Sequence, residues 1–196
     1  MSSTQRNRLT ERKGNKAMND VSYRVALGGI VSALCLLTMF LAGIIAPLYI
    51  LFPMIAGVLM MIIAVEVSRS WALLTYIAVS LLSLLITFDK EAALLFILFF
   101  GHYPVLRMYL GRIRLKFLRR LVKFIIFNIC IIAYFYTTVY VFGLEQMLTE
   151  MDDFGKYGGY VMLFAANIIF VLYDYNLTFL YKTYCRSFLP RLRKKR

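Results

Sequence analysis

The chain has 196 residues, of which 61% are hydrophobic, and it carries a net charge of +13. This apolar content exceeds the roughly 45–50% of a soluble domain, and it falls in blocks of roughly 17–23 residues, which are long enough to cross a bilayer core. The composition therefore excludes an ordinary soluble protein, and the placement of the basic residues between these blocks argues against a nucleic-acid partner.

The predicted elements divide the chain into three parts. Residues 1–20 are polar and basic and predict a disordered cytoplasmic arm. Residues 21–184 predict one all-α integral membrane domain of about six transmembrane helices, and residues 185–196 predict a basic cytoplasmic tail. The first span is expected from Ser22 to Ile45, with Pro47 marking its end. The second span is expected to end at Glu66, the third to run from Trp71 to Phe88, and the fourth to end near Leu106. The fifth and sixth spans are expected to cover residues 121–143 and 159–181.

The segment between the fourth and fifth predicted spans, Arg107–Lys123, alternates basic residues with Leu, Ile and Phe. This pattern is typical of an amphipathic helix that lies on the cytoplasmic membrane surface. Gly101 and Pro104 fall just before it and predict a bend or an early end of the fourth span.

The distribution of charge predicts the topology. The segments assigned to the cytoplasm contain 21 of the 23 Lys and Arg residues, whereas the segments assigned to the outside contain only Lys90 and Lys156. The outer segments also contain six of the ten acidic residues. Because Lys and Arg are retained in cytoplasmic loops, both ends of the chain are expected in the cytoplasm.

Four small residues share one face of the first span: Ser22, Ala26, Gly29 and Ala33. Their spacings of four, three and four residues keep them aligned on a helix. Such a face lets another helix approach closely. It is interpreted either as a docking face for a partner subunit or as a packing face within this chain.

Polar residues inside the apolar spans predict an intramembrane cluster. Its members are Glu66, His102, Asn128 and Asp174. A carboxylate in a membrane is expected to face the bundle interior, so Asp174 needs a partner, for which Arg107 and Lys182 are candidates. The cluster is interpreted either as a gate or relay or as a structural knot.

A second polar set lies near the predicted outer surface and suggests a small-molecule site with aromatic walls. Its candidate members are Ser83, Asp89, Glu91, Tyr136, Tyr140 and Asn167. The alternative is an aromatic belt with hydroxyl bonds between helices. The chain shows no phosphate-binding loop and no nucleophile elbow, and a single histidine, His102, cannot form a metal cluster. The sequence therefore predicts no enzyme activity, no cofactor and no metal.

The chain resembles the substrate-binding S components of energy-coupling factor transporters. The stretch Ala26–Ala33 carries their small-residue docking motif, with Gly29 and Ala33 in the motif positions and Gly in place of the first Ala. The runs Phe88–Phe96 and Phe100–Pro104 resemble an uncharacterised bacterial branch of the family. The resemblance implies a multi-pass protein of the bacterial cytoplasmic membrane. It also implies a vitamin-like substrate bound from the outside, and partners that comprise a transmembrane coupling subunit, ATPase subunits and membrane lipids.

The leading hypothesis is therefore a substrate-capture subunit of a multi-subunit importer. The alternative is a non-transporting membrane scaffold of the rod-shape-determining kind, which has a similar size and helix number.

Overall fold

The computed structural model describes the backbone of residues 3–141, 143 and 157–188, and the side chains of residues 21–45, 47–141, 143 and 157–186. Within these ranges the protein consists of helices joined by short turns and contains no β-strand, which confirms the predicted all-α class. The α-helices are α1 (Ser3–Ile44), α2 (Leu51–Glu66), α3 (Arg69–Ile86), α4 (Lys90–Leu95), α5 (Tyr103–Leu110), α6 (Lys116–Tyr136) and α7 (Gly158–Thr183). Turns of 3-10 or π type cover Ala46–Leu48, Phe96–Phe100, Thr137–Val141 and Tyr184–Phe188.

Within the described chain, five helical segments are long and apolar enough to cross a membrane. They are Val21–Ile44, Arg69–Ile86, Lys90–Leu110, Lys116–Val141 and Gly158–Arg186. Helix α2 is equally apolar but has 16 residues, so it spans about 24 Å at a rise of 1.5 Å per residue. It is thus shorter than a hydrocarbon core of about 30 Å.

The outer surface of the bundle is apolar. Leu85 is 84% exposed and Phe117 is 78% exposed, and many other Leu, Ile, Val and Phe side chains point away from the bundle. Water would disfavour so large an apolar surface, whereas lipid tails accept it. The fold is therefore compatible with a multi-pass membrane protein.

The segment Lys90–Leu110, the third of these five, is interrupted where Gly101 and Pro104 predicted a bend. A π turn leads to Gly101 and His102, and α5 then starts with Pro104 in its first turn. A Cβ atom on Gly101 would lie 2.6 Å from Cδ2 of Tyr76, so glycine permits the close approach of α3. The Tyr76 hydroxyl donates a hydrogen bond of 2.6 Å to the carbonyl of Ile97, inside the π turn.

Two basic segments have a backbone that differs from the expected one. The backbone of Ser3–Asp20 is helical and continuous with the first span, rather than a disordered arm. This stretch contains no proline, and extending an existing helix is easier than starting one. The segment Arg107–Lys123 is not one amphipathic helix either, because α5 ends at Leu110 and α6 begins at Lys116. Gly111, a poor helix former, follows α5 directly.

Two groups of buried side chains form the core. In one of them α1, α2 and α3 pack together, and α1 contributes the face that contains Val31, Cys35 and Met39. The other is rich in aromatic rings and joins α2, the π turn after α4, α6 and α7. Gly57 allows α2 to pack closely against the π turn in this second group, since a Cβ atom there would lie 2.5 Å from the Phe100 carbonyl oxygen.

Candidate functional site

Asp174, in the second half of α7, is the centre of an ion cluster. Its two carboxylate oxygens each accept a hydrogen bond of 2.8 Å from Nζ of Lys123 on α6. The hydroxyl of Tyr103 on α5 donates another at 2.6 Å. Nε of Arg107, also on α5, lies 3.3 Å from the same carboxylate. One acidic residue thus ties three helices together, and Arg107 is one of the two partners suggested from the sequence.

The cluster contains more positive than negative charge. The side chains of Arg107 and Lys123 are only 16% and 11% exposed, and they share the single carboxylate of Asp174. Arg107 also donates a hydrogen bond of 2.6 Å to Oγ1 of Thr178, whose hydroxyl in turn donates to the Asp174 carbonyl. Hydrogen bonding is therefore satisfied, but one positive charge is not neutralised, which is unfavourable in a low-dielectric setting.

A cavity of about 860 Å³ lies beside this cluster and is called the basic cavity here. It lies at the end of the bundle where α5 ends and α3 and α6 begin. One acidic side chain, Asp174, lines it, together with six basic ones: Arg69, Arg107, Arg112, Arg119, Arg120 and Lys123. The cavity therefore has a strongly positive wall.

A second cavity of about 470 Å³, called the apolar cavity here, lies at the opposite end of the bundle. It is bounded by the start of α2, the π turn after α4, and helices α6 and α7. Its walls are mostly aromatic and aliphatic and include Tyr49, Phe99, Phe127, Tyr134, Tyr136 and Met162. Its size lies within the range of about 300–1,000 Å³ that is usual for small-molecule sites.

A layer of aromatic rings separates the two cavities. Phe127 lines the apolar cavity and Phe170 lines the basic cavity. Their rings are stacked, with centroids 4.5 Å apart and planes 11° from parallel. Phe99 lies edge-on to both, at 5.0 and 5.7 Å. Tight ring packing of this kind fills the space between the apolar cavity and the basic cavity.

The residues of the predicted outer site do not form a single pocket. Tyr136 lines the apolar cavity and stacks on Tyr140, with ring centroids 5.7 Å apart. Glu91 accepts a hydrogen bond of 3.3 Å from Tyr134, which belongs to the cavity wall. Asp89 caps α4 by accepting hydrogen bonds from the amides of residues 91 and 92.

The other two candidates have structural partners. Ser83 is fully buried on α3 and donates to the Ser80 carbonyl. Asn167 exchanges two hydrogen bonds of 3.1 Å with Asn128, which joins α6 to α7. Neither residue lines the apolar cavity. The acidic loop 144–156 lies outside the described residues.

The four residues of the predicted intramembrane cluster lie in separate places. Glu66 accepts a hydrogen bond of 2.6 Å from Tyr184. The imidazole of His102 lies edge-on to the Tyr76 ring, with centroids 5.6 Å apart. Asn128 is paired with Asn167 rather than with Asp174. The reason is antiparallel pairing of α6 and α7, which matches Lys123 with Asp174 and places Asn128 beside a residue two turns earlier on α7.

The small face of α1 is exposed. Ser22, Ala26, Gly29 and Ala33 all lie on the outer surface of the bundle. A Cβ atom added at Gly29 would meet no atom within 4 Å. The core is contacted by a different face of the helix, so in the described structure these four residues do not pack internally.

Sequence reasoning missed Lys123 and Tyr103 as partners of Asp174. Lys123 was assigned to a surface helix, yet it lies in the third turn of α6, where apolar residues follow. A lysine in such a position is expensive unless a buried acid pairs with it. That argument could have linked it to Asp174.

No protein-family model matches the chain, and comparison with known proteins found no similar curated protein and no similar solved structure. Among the described residues, no group of three or more His, Cys, Asp and Glu residues lies close enough to hold a metal ion. The two cavities and the exposed face of α1 are therefore the features of this chain that bear on its function.

Proposed function

We propose that this chain is the substrate-capture membrane subunit of a multi-subunit importer of the energy-coupling factor type, and that its substrate is a vitamin-like small molecule. The observation that carries the proposal is the exposure of the small face of α1 at Ser22, Ala26, Gly29 and Ala33. A stripe of small residues aids close helix contact, and these residues make no such contact within the described chain. A partner helix is then the natural occupant.

The apolar cavity supports the second half of the proposal. Its volume of about 470 Å³ and its aromatic and aliphatic wall, which includes three tyrosines, suit a small, mostly apolar molecule with a few polar groups. Tyr136 supplies an aromatic wall, and the Glu91–Tyr134 hydrogen bond holds another wall residue. Energy for transport would come from separate ATPase subunits, since the chain lacks a phosphate-binding loop.

The proposal includes six membrane crossings with both ends in the cytoplasm, and α2 is then a short second span. The distribution of Lys and Arg supports this topology. It is tested by labelling single cysteines in intact cells with a membrane-impermeant reagent, after the native cysteines have been replaced. Asp152→Cys should be labelled from outside, whereas Leu115→Cys should be labelled only after the cells are opened. Labelling of position 115 from outside would show that this topology is wrong.

The docking face is tested with Gly29→Trp combined with Ala33→Trp. These changes should abolish copurification of an ATPase-linked partner and leave the thermal unfolding of the isolated chain unchanged, because lipid accepts the added rings. Ala78→Trp, on another exposed face, is the matched control and should retain the partner. If no ATPase-linked partner copurifies with the parent protein, or if cell-wall synthesis proteins copurify instead, the importer proposal is wrong and the scaffold alternative is favoured.

The substrate site is tested separately by mass spectrometry of small molecules extracted from the purified protein. Ala166→Trp should fill the apolar cavity that Ala166 lines, and it should remove a molecule that the parent and Ala78→Trp both retain. Retention of the same molecule by Ala166→Trp would show that it binds outside the apolar cavity.

A further inference from the structure

We propose that the basic cavity is a binding site for a phosphate-bearing anion, and that the headgroup of an anionic membrane lipid is the ligand that its surroundings favour. The inference goes beyond the transport function and does not depend on it. It rests on the charge of the cavity wall, on the single acidic partner, Asp174, that the described residues offer to that charge, and on the apolar surface that adjoins the cavity.

The charge of the wall is the first observation. Six basic side chains and one carboxylate line the cavity, so its net charge is strongly positive. The Lys123 and Arg107 side chains at its inner end are largely shielded from solvent and share Asp174. A bound anion would neutralise the buried excess charge, which is otherwise unfavourable.

The second observation is that the remaining arginines have no acidic partner among the described side chains. Both ion pairs found there end on Asp174. Arg69 and Arg112 instead lie against the ring of Tyr109, with guanidinium carbons 4.8 and 5.7 Å from its centroid. Stacking on a ring holds a guanidinium group in place and leaves its N–H groups able to donate.

The chemistry of these groups selects the ligand. Arginine presents planar pairs of N–H donors that match the oxygens of phosphate, and such charge-assisted hydrogen bonds are among the strongest in proteins. The arginines come from α3, from the turn after α5 and from α6, so they surround the cavity rather than lie along one strip. That arrangement suits a compact anion with several oxygen atoms.

The third observation favours a lipid over a free ion. Phe124, Val171 and Tyr175 line the cavity together with the basic groups. Val171 and Tyr175 are also exposed on the outer, lipid-facing surface of α7. A headgroup in the cavity could therefore leave its acyl chains against the side of α7. Basic pockets between transmembrane helices on the cytoplasmic side are known to bind anionic headgroups in this way.

The experiment uses the full chain in a neutral detergent at about physiological salt and measures binding by calorimetry. The probes are dihexanoylphosphatidylglycerol, dihexanoylphosphatidylcholine and inorganic phosphate. The test variant combines Arg119→Gln with Arg120→Gln, which line the cavity. The matched control combines Arg114→Gln with Lys116→Gln, which remove the same charge from the same segment but do not line it.

Phosphatidylglycerol is expected to saturate one site and phosphatidylcholine is not. The lining variant should bind about tenfold or more weakly, the loss expected when one charge-assisted hydrogen bond disappears, and the control should stay within about twofold of the parent. Inorganic phosphate that binds alone and displaces the lipid would identify free phosphate as the ligand, and lipid binding without phosphate binding would identify the headgroup. Both results support an anion site.

Equal losses in the two double variants would overturn the proposal, because they would indicate diffuse surface attraction. Equal binding of the two lipids, or binding of none of the three probes, would overturn it as well. Melting of the unliganded variants checks their folding. Arg69→Gln, on α3, provides an independent lining variant if the double substitution prevents folding, and it should also weaken phosphatidylglycerol binding.

Discussion

Replacement of Asp174 by asparagine tests the ion cluster directly. The change keeps the shape of the side chain but leaves Arg107 and Lys123 without a counter-charge, while both remain largely buried. Removing one partner of a buried ion pair typically costs about 3–5 kcal/mol. Because the Asp174 side chain is 26% exposed, solvent reduces the cost of leaving the two cations unpaired. We therefore expect a loss of stability near the lower end of that range, about 3 kcal/mol.

The loss would be measured as the free energy of unfolding during titration of dodecylmaltoside micelles with SDS, followed by circular dichroism. Asp89→Asn is the matched control, since Asp89 caps α4 through the amides of residues 91 and 92 and asparagine caps a helix about as well. It should change stability by less than about 0.5 kcal/mol.

A double variant separates lost charge from lost shape. Lys123→Met added to Asp174→Asn removes one of the unpaired cations, so it should recover part of the lost stability. The same change in the parent leaves Arg107 paired with Asp174, so the double variant should cost less than the sum of the losses of the two single variants. If Asp174→Asn costs no more than Asp89→Asn, the cluster does not stabilise the fold and the reasoning is refuted.

Three further predictions use the same unfolding assay. Gly57→Ala should cost about 1–3 kcal/mol by overpacking, because its Cβ would lie 2.5 Å from a backbone oxygen. Gly29→Ala, with open space around it, should be neutral. Equal effects of the two changes would contradict the close packing of α2 at Gly57. Tyr76→Phe should cost about 0.5–1.5 kcal/mol, because it removes one hydrogen bond to the Ile97 carbonyl in the π turn. An unchanged unfolding midpoint would show that this hydrogen bond does not stabilise the fold. Asn128→Leu and Asn167→Leu should each cost about 0.6–1.7 kcal/mol. Their losses should not add in the double variant, because each change removes the same pair of hydrogen bonds. Additive losses would mean that the two amides act separately.

The sequence predicted those features that depend on local composition. The all-α class, the membrane-length apolar segments and the interruption near Gly101 follow from runs of neighbouring residues. The free energy of transferring a helix into lipid is close to the sum of the contributions of its own residues. The local sequence is therefore enough to predict a membrane-length apolar segment. The same pattern could not show that α2 has only 16 helical residues, because its start depends on how the chain turns after α1.

The candidate sites needed the tertiary structure. Lys123 and Asp174 are 51 positions apart, and nothing in the local sequence of either identifies the other. The sequence grouped Asn128 with Asp174 in one polar cluster, whereas the pairing of α6 and α7 places Asn128 beside Asn167 instead. A relative shift of two helical turns changes which polar groups meet, and only packing sets that shift.

The orientation of α1 shows the same division. The spacing of Ser22, Ala26, Gly29 and Ala33 determined that they share a face, because helical periodicity is a local property. Whether that face looks inward or outward was decided by the packing of Val31, Cys35 and Met39 against α2 and α3. Lipid and protein interior are similarly apolar, so hydrophobicity alone cannot orient a membrane helix, and the close fit of side chains in the core decides it.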